Sequence, residues 1–164
     1  MLSFGASHLL GLVLPRPYQA LSLYPRSGHL WQLASFHWVH GNWQHLALNL
    51  VPLVLLGVLI ATQGTTQYWL ATGMILLVAG AGTWLFSSAT RVLGASGLVF
   101  GYWGYILARA GLSGEMAWAG LALITLLFYS GLLRSLARVS RGVSWSCHFW
   151  GLCGGVAAAL LASS

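Results

Sequence analysis

Five long apolar stretches, separated by short polar or glycine-rich links, dominate the pattern of hydrophobic and polar positions along the chain. At about 1.5 Å per helical residue, each stretch is long enough, or nearly so, to cross about 30 Å of hydrocarbon. We therefore expect an all-α, polytopic membrane protein that forms a single domain over residues 1–164. The pattern predicts transmembrane helices at about residues 40–62, 68–87, 94–111, 116–136 and 144–162.

The chain before the first of these stretches is less regular. Residues 2–14 are apolar but stop at Pro15, which makes them too short to cross a membrane comfortably. They are either the tail of a first helix whose beginning is absent or a segment that lies at the membrane interface. They also lack the positive start and the small-residue cleavage site of a signal peptide. Residues 15–39 contain three prolines and several aromatic residues, which predicts a structured interfacial loop.

Composition points to the same class of protein. The chain is 58% hydrophobic and only 5% charged, whereas soluble domains carry about 25% charged residues. The net charge of +6 comes from seven arginines and one acid, Glu115. Because the arginines are scattered through the links, we expect no nucleic-acid partner. Cys147 and Cys153 lack the spacing of a redox or metal pair, so both are expected to be small core residues.

Three of the five stretches are expected to begin on the same side of the membrane. They start near residues 40, 94 and 144, and alternate segments of a serpentine chain start on one side. Polar groups in their first turns should therefore face one compartment at similar depth. Glu115 lies in a link that begins on the opposite side.

Polar side chains open the first of these stretches. His45 and Asn49 are four residues apart, so they share one face of an otherwise apolar helix. Two donors on one stripe can serve chemistry, or they can simply hold neighbouring helices together through hydrogen bonds. His37 and His40 precede the helix and are expected to order the loop.

A serine opens the next of these stretches, between two glycines. Ser96 at a helix start can be an ordinary N-cap. Gly94 and Gly97, however, bare the backbone around its hydroxyl, so that a substrate could approach closely. The free N–H groups of a helix start would also stabilise developing negative charge.

A histidine opens the last stretch. Alone, His148 could be an interfacial residue or could bond to a neighbouring helix, although an ionisable group inside a membrane indicates function by default. Gly151 and Gly155 follow it with a spacing that allows close helix packing, and the Ser96 helix carries the same spacing at Gly97 and Gly101. Facing glycine ridges would bring the serine and the imidazole together as a nucleophile and base. With no Asp in the chain and Glu115 on the other side, such a pair must act as a dyad.

Three segments, taken together and in this order, resemble a known family. The sequences HWVHGNWQHLALNL, GASGLVFGYWG and SWSCHFWGLCGG look like the signature segments of rhomboid intramembrane serine proteases, and PLVLLG and WLF resemble its bacterial members. The resemblance covers about residues 22–160. It implies a compact bundle of six helices in the bacterial inner membrane, here five clear ones plus a short or truncated first one. The bundle would hold a water-filled cavity open to the extracytoplasmic side.

The resemblance also implies roles for individual residues. Ser96 would be the nucleophile and His148 the general base. His45, Asn49 and the backbone N–H of Ser96 would form the oxyanion hole. The supporting residues would be His40, which orders the loop, Phe100, which packs against the imidazole of the base, and the glycines Gly94, Gly97, Gly151 and Gly155.

The chain departs from the family pattern at several points. Phe100 stands where many members carry Tyr, and Ser146 and Cys147 stand where Glu and Gly are expected. The charges also predict the opposite orientation, because the more positive side usually faces the cytoplasm. Arg109 alone would lie on the far side, and the arginines on the site side would be Arg16, Arg26, Arg91, Arg134, Arg138 and Arg141.

The expected function is intramembrane serine proteolysis by a Ser–His dyad, without a metal or other cofactor. The partners would be transmembrane protein substrates and the lipid bilayer, and the sequence predicts no oligomeric state. One alternative is a non-catalytic rhomboid-like protein that binds or escorts membrane clients. Another is a metal or haem site at His37, His40 and His45 in a small carrier, for which the sequence supplies no Asp or suitable Cys as a further ligand.

Overall fold

A computed structural model describes residues 2–26, 29–137 and 145–163, and this part of the chain is helical with no strand. The all-α prediction is confirmed to that extent. The helices are α1 Leu2–Val13, α2 Pro15–Ala20, α3 Gln32–Ser35, α4 Trp43–Ala61, α5 Thr65–Phe86, α6 Ser96–Leu112, α7 Met116–Ala137 and α8 Trp145–Leu161.

Two of the described helices, α4 and α5, are long and apolar enough to cross a membrane by length and composition. Shorter apolar helices occur at Ser3–Val13, Met116–Tyr129 and Trp145–Leu161. Helix α7 is interrupted at Tyr129, whose φ of −105° and ψ of 16° are not helical. The predicted loop at 15–39 contains α2, α3 and a 3₁₀ turn at Phe36–Trp38.

Some sequence predictions fall outside the described residues. They include the start of the last stretch at Ser144, the side chain of Arg134, and the arginines Arg138 and Arg141.

Helix α6 forms the centre of the bundle. Its residues from Gly97 to Ile106 are buried without interruption, which is the pattern of a helix surrounded by protein on all sides. Its aromatic side chains at Tyr102, Trp103 and Tyr105 are at most 1% exposed. The surrounding helices α4, α5 and α7 turn large apolar side chains outward instead.

Glycines let α8 approach α6 at backbone distance. A Cβ at Gly151 would overlap the carbonyl of Gly97, and a Cβ at Gly155 would overlap the carbonyl of Gly101. Because each glycine of one pair faces a glycine of the other, the two backbones touch over one helical turn. This contact brings the starts of α6 and α8 to the same end of the bundle.

Candidate active site

The hydroxyl of Ser96 and the imidazole of His148 lie within hydrogen-bond distance. Ser96 is the first residue of α6 and His148 lies in the first turn of α8. Ser96 Oγ is 3.0 Å from His148 Nε2. His148 is 5% exposed and Ser96 is half-buried, so the hydroxyl is the more accessible member of the pair.

Phe100 supports the imidazole from one side. Its ring stacks on that of His148 with centroids 4.3 Å apart and planes 20° from parallel. Phe100 is fully buried one helical turn after Ser96, so the ring has little freedom to move. The contact fixes the plane of the imidazole, and with it the direction of Nε2.

No carboxylate stands behind the histidine in the described part of the chain. Nδ1 of His148 is buried and has no hydrogen-bond partner there. Glu115 is exposed in the link after α6. It is separated from Ser96 by the length of a helix of 17 residues, which is about 25 Å. In the described residues, the serine and the histidine therefore pair without a carboxylate as a third member.

His45 and Asn49 of α4 face the loop that carries the serine. Gly94 has a φ of +112°, a conformation that glycine adopts readily and other residues rarely do. A Cβ at this position would lie 2.9 Å from His45 Nε2 and 3.9 Å from Asn49 Nδ2. Asn49 Nδ2 donates to the His45 carbonyl at 2.8 Å, which leaves the second N–H of the amide for another acceptor. The N-cap Asn42 holds this turn, since its Oδ1 accepts the His45 backbone N–H at 2.7 Å.

Two hydrogen bonds from backbone N–H groups fix Gly94 and Ala95, the two residues before Ser96, from the other side. The N–H of Gly94 donates to the Phe36 carbonyl at 3.0 Å, and the N–H of Ala95 donates to His40 Nε2 at 3.3 Å. The second bond requires an unprotonated Nε2. Burial, and secondarily repulsion from His45, lower the pKa of His40 to about 4, so the ring is neutral at pH 7.

The start of α6 presents backbone N–H groups beside the hydroxyl, of which that of Gly97 donates to Cys147 Sγ. The first bond of the α6 ladder runs from the Val99 N–H to the Ala95 carbonyl. The N–H groups of Ser96, Gly97 and Leu98 precede it and have no acceptor within the helix. Together with the side chains of α4, they make this end of the bundle favourable for negative charge.

Cys147 and His37 lie next to Gly97, although the sequence did not predict either residue near the serine. A Cβ at Gly97 would lie 2.7 Å from Cys147 Sγ and 3.1 Å from His37 Nε2. His37 is fully buried and its Nδ1 donates to the Ala34 carbonyl at 3.1 Å. Both contacts join segments that are far apart in the chain, so no local spacing could have indicated them. Across 2–26, 29–137 and 145–163, no group of three or more His, Cys, Asp or Glu side chains is placed to hold a metal ion.

Comparison with known proteins places the chain in a family. The model of the Rhomboid domain matches residues 27–164. An uncharacterized protein of Mycobacterium leprae is 35% identical over 144 residues, which are 82% of this chain and 57% of that protein. An uncharacterized protein of Mycobacterium tuberculosis is 36% identical over 145 residues, 82% of this chain and 60% of that protein.

A plant protein shows the same relationship over a shorter length. RHOMBOID-like protein 4 of Arabidopsis thaliana is 32% identical over 83 residues, which are 48% of this chain and 20% of that protein. This chain thus spans only about 60% of the length of the mycobacterial relatives. Since the Rhomboid domain covers most of this sequence, the chain belongs to the rhomboid family.

Proposed function

We propose that this chain is an intramembrane serine endopeptidase that cleaves transmembrane segments of other membrane proteins with a Ser96–His148 dyad. The observation that carries the proposal is the distance of 3.0 Å between Ser96 Oγ and His148 Nε2, at one end of an apolar bundle. Burial of the imidazole against Phe100 adds support, because a general base must be held in one orientation.

In the proposed reaction, Ser96 Oγ attacks a substrate carbonyl carbon while His148 Nε2 accepts the hydroxyl proton. The tetrahedral intermediate collapses as the protonated imidazole gives that proton to the leaving amine, and an acyl-enzyme remains. Water then attacks the ester, His148 again accepts a proton, and the carboxylic acid leaves with Ser96 restored. No cofactor takes part in these steps.

The oxyanion of each tetrahedral intermediate needs donors that are already in place. We assign this role to His45, to the free N–H of the Asn49 amide and to the backbone N–H of Ser96. The lack of a side chain at Gly94 supports the assignment, because a Cβ there would lie against the His45 ring and near the Asn49 amide. A single donor of this kind can contribute about 3 kcal/mol to lowering the barrier.

We place the bundle across the bacterial inner membrane, with α4 to α8 as the spanning helices and α1 at the rim. The outward apolar faces of α4, α5 and α7 support this setting. The site would open to the extracytoplasmic side. Substrate segments with small or helix-weakening residues would be preferred, since an intact helix engages its carbonyls in internal hydrogen bonds.

A fluorophosphonate probe tests the proposal directly, because it reacts with an activated serine. We expect labelling of the detergent-solubilised chain, and no labelling of Ser96→Ala. Thr62→Ala is a suitable control, because its exposed hydroxyl lies at the C-terminal end of α4, opposite the dyad. An unlabelled wild type, or equal labelling of Ser96→Ala, would contradict the protease assignment. A chain that still captured membrane proteins would then fit the non-catalytic alternative.

A further inference from the structure

Helix α1 packs against Trp38, which lies between His37 and His40. The Phe4 ring stacks on Trp38 with centroids 5.4 Å apart. The Ser7 hydroxyl shares its proton between the carbonyls of Phe4 and Trp38, at 2.9 Å each. One turn further, Gly11 lies so close to the Tyr18 ring that a Cβ would overlap it. These α1 residues occupy one helix face, so α1 is docked on the chain around Trp38.

The hydroxyl of Tyr18 lies at the polar centre of this contact. It accepts the backbone N–H of His40 at 2.7 Å. It can donate to the Trp38 carbonyl or to His8 Nδ1, each 3.4 Å away. Tyr18 is 7% exposed and His40 is 2% exposed, so both partners of the short bond are buried. The hydroxyl is the acceptor that this N–H has in the fold.

Two hydrogen bonds connect Tyr18 to the residue before the nucleophile. The His40 backbone is held by Tyr18, and the His40 ring accepts the Ala95 N–H at 3.3 Å. Ala95 is the N-cap of α6, which begins at Ser96. A displacement of His40 is therefore passed on to the start of α6, where the serine and its backbone N–H lie.

We propose that Tyr18 is a positioning residue for Ser96, that it acts through His40, and that α1 holds it in place. The inference rests on the proposed function for its effect on chemistry. Tyr18 and α1 precede residue 27, where the match to the Rhomboid domain begins, so this support lies outside the matched domain.

Tyr18→Phe is the variant that isolates the hydroxyl. The ring stays against Gly11, while the buried His40 N–H loses its acceptor, and an unsatisfied buried donor is costly. We expect fluorophosphonate labelling of the full chain to slow roughly tenfold. We also expect faster amide hydrogen exchange at residues 38–41 and 92–96. His8→Phe removes one of the two more distant partners of the hydroxyl and should change both readouts in the same direction by less.

Tyr105→Phe is the matched control. Its buried hydroxyl also accepts one hydrogen bond, from Gln67 Nε2 at 3.3 Å, and donates another, to Gln63 Oε1 at 3.2 Å. It lies nine residues along α6 from Ser96, about 13 Å away. The variant should lower stability as Tyr18→Phe does, but leave the labelling rate and the exchange at 92–96 unchanged.

The two readouts separate failure of this inference from failure of the proposed function. Slower labelling and faster exchange in Tyr18→Phe alone would support the inference. Equal effects in both variants, or none in Tyr18→Phe, would overturn it. If the wild type is not labelled at all, the protease assignment fails, but hydrogen exchange at 92–96 still tests the positioning role of Tyr18. Faster exchange in Tyr18→Phe alone would support that role. Unchanged exchange in Tyr18→Phe would exclude it.

Discussion

At the scale of the residue, Asn49 uses one of its two amide N–H groups within its own helix and keeps the other for a further acceptor. One N–H of its amide bonds to the His45 carbonyl at 2.8 Å, which fixes where the other N–H can point. The amide is therefore oriented before a substrate arrives, and preorganisation is what makes an oxyanion donor effective.

We expect Asn49→Ala to lower kcat for cleavage of a transmembrane substrate by roughly 10²-fold, because the proposed oxyanion hole loses one donor. Its thermal unfolding should stay close to that of the wild type. Leu48→Ala, at the neighbouring exposed position, serves as the control for shortening a side chain on α4. Unchanged turnover in Asn49→Ala would remove this residue from the oxyanion hole.

Phe100 makes a contact that a smaller side chain cannot replace. In Phe100→Leu the stacked ring at 4.3 Å from the imidazole is lost, so His148 can rotate away from the serine. We expect kcat to fall roughly tenfold with KM nearly unchanged. Leu98→Ala creates a comparable gap two residues before Phe100 on α6, at a buried aliphatic side chain that has no ring to stack on the histidine. An equal loss of kcat in both variants would show that packing in general, rather than the stacked ring, is responsible.

Buried histidines make the fold sensitive to acid. Burial lowers the pKa of both His37 and His40 to about 4, below the usual value of about 6.5. Between pH 6.5 and pH 4 the unfolded chain binds more protons than the folded one, so the free energy of unfolding falls as the pH falls through this window. We expect thermal unfolding in detergent to move to lower temperature over that range and to level off above pH 7.

The matched variant for the acid effect is His40→Gln, whose side chain does not titrate. It should make the pH dependence shallower but not abolish it, because His37 still titrates near pH 4, whereas His29→Gln, at an exposed position, should leave it as in the wild type. A wild-type unfolding temperature that did not change from pH 7 to pH 4 would contradict the burial of neutral imidazoles.

The residues of the proposed site carry signals in the sequence, because each opens a segment or repeats at helical spacing. Ser96, His148 and the pair His45 and Asn49 carry such signals. Tyr18 carries none, since its partner His40 is 22 residues away in a stretch without periodicity. Long-range contacts of this kind depend on how the chain folds back, which local patterns do not encode.

At the scale of the element, the contact between α6 and α8 decides whether the dyad forms. Gly151→Ala would place a methyl group against the backbone of Gly97, and backbone cannot move aside as a side chain can. We expect an overpacking cost of about 1–3 kcal/mol, a lower unfolding temperature and a strong loss of probe labelling. Labelling should fall because α8 is pushed away from α6, which separates His148 from Ser96.

Gly120 provides the control for that prediction. It lies in α7, and a Cβ there would meet nothing within 4 Å. Gly120→Ala should leave labelling intact and stabilise the helix slightly, since Ala is the better helix former by about 1 kcal/mol. Similar losses in Gly120→Ala and Gly151→Ala would mean that helix contact is not the cause.

The long helices could be predicted from apolar length alone, and the short ones could not. Each of the five apolar stretches coincides with one of the helices α4 to α8. Helices α2 and α3 have six and four residues, which is too few for a periodic pattern to develop. Tertiary contacts hold them in place instead, such as the hydrogen bond between the two helices from Gln32 Nε2 to the Ala20 carbonyl at 2.8 Å. The break at Tyr129 likewise has no proline to announce it.

At the scale of the whole molecule, the surface reverses the pattern of a soluble protein. Large apolar side chains such as Val51, Leu77 and Phe128 are 60%, 64% and 81% exposed, whereas histidines and an asparagine are buried at one end. We expect the chain to stay in the membrane fraction after extraction with alkaline carbonate and to need detergent for purification. Release into the soluble fraction would contradict a membrane-embedded bundle.

Orientation is where charge and family resemblance make opposite predictions. The dyad lies at the starts of α6 and α8, so the end of α8 at Leu161 faces the other side of the bundle. The arginine distribution would place the dyad in the cytoplasm, whereas the proposed function places it outside. We expect a green fluorescent protein fused after residue 164 to fluoresce and alkaline phosphatase at the same point to be inactive, as a cytoplasmic C-terminus requires. The reverse pattern would mean that the site opens to the cytoplasm, and substrates would then have to be sought among segments presented from that side.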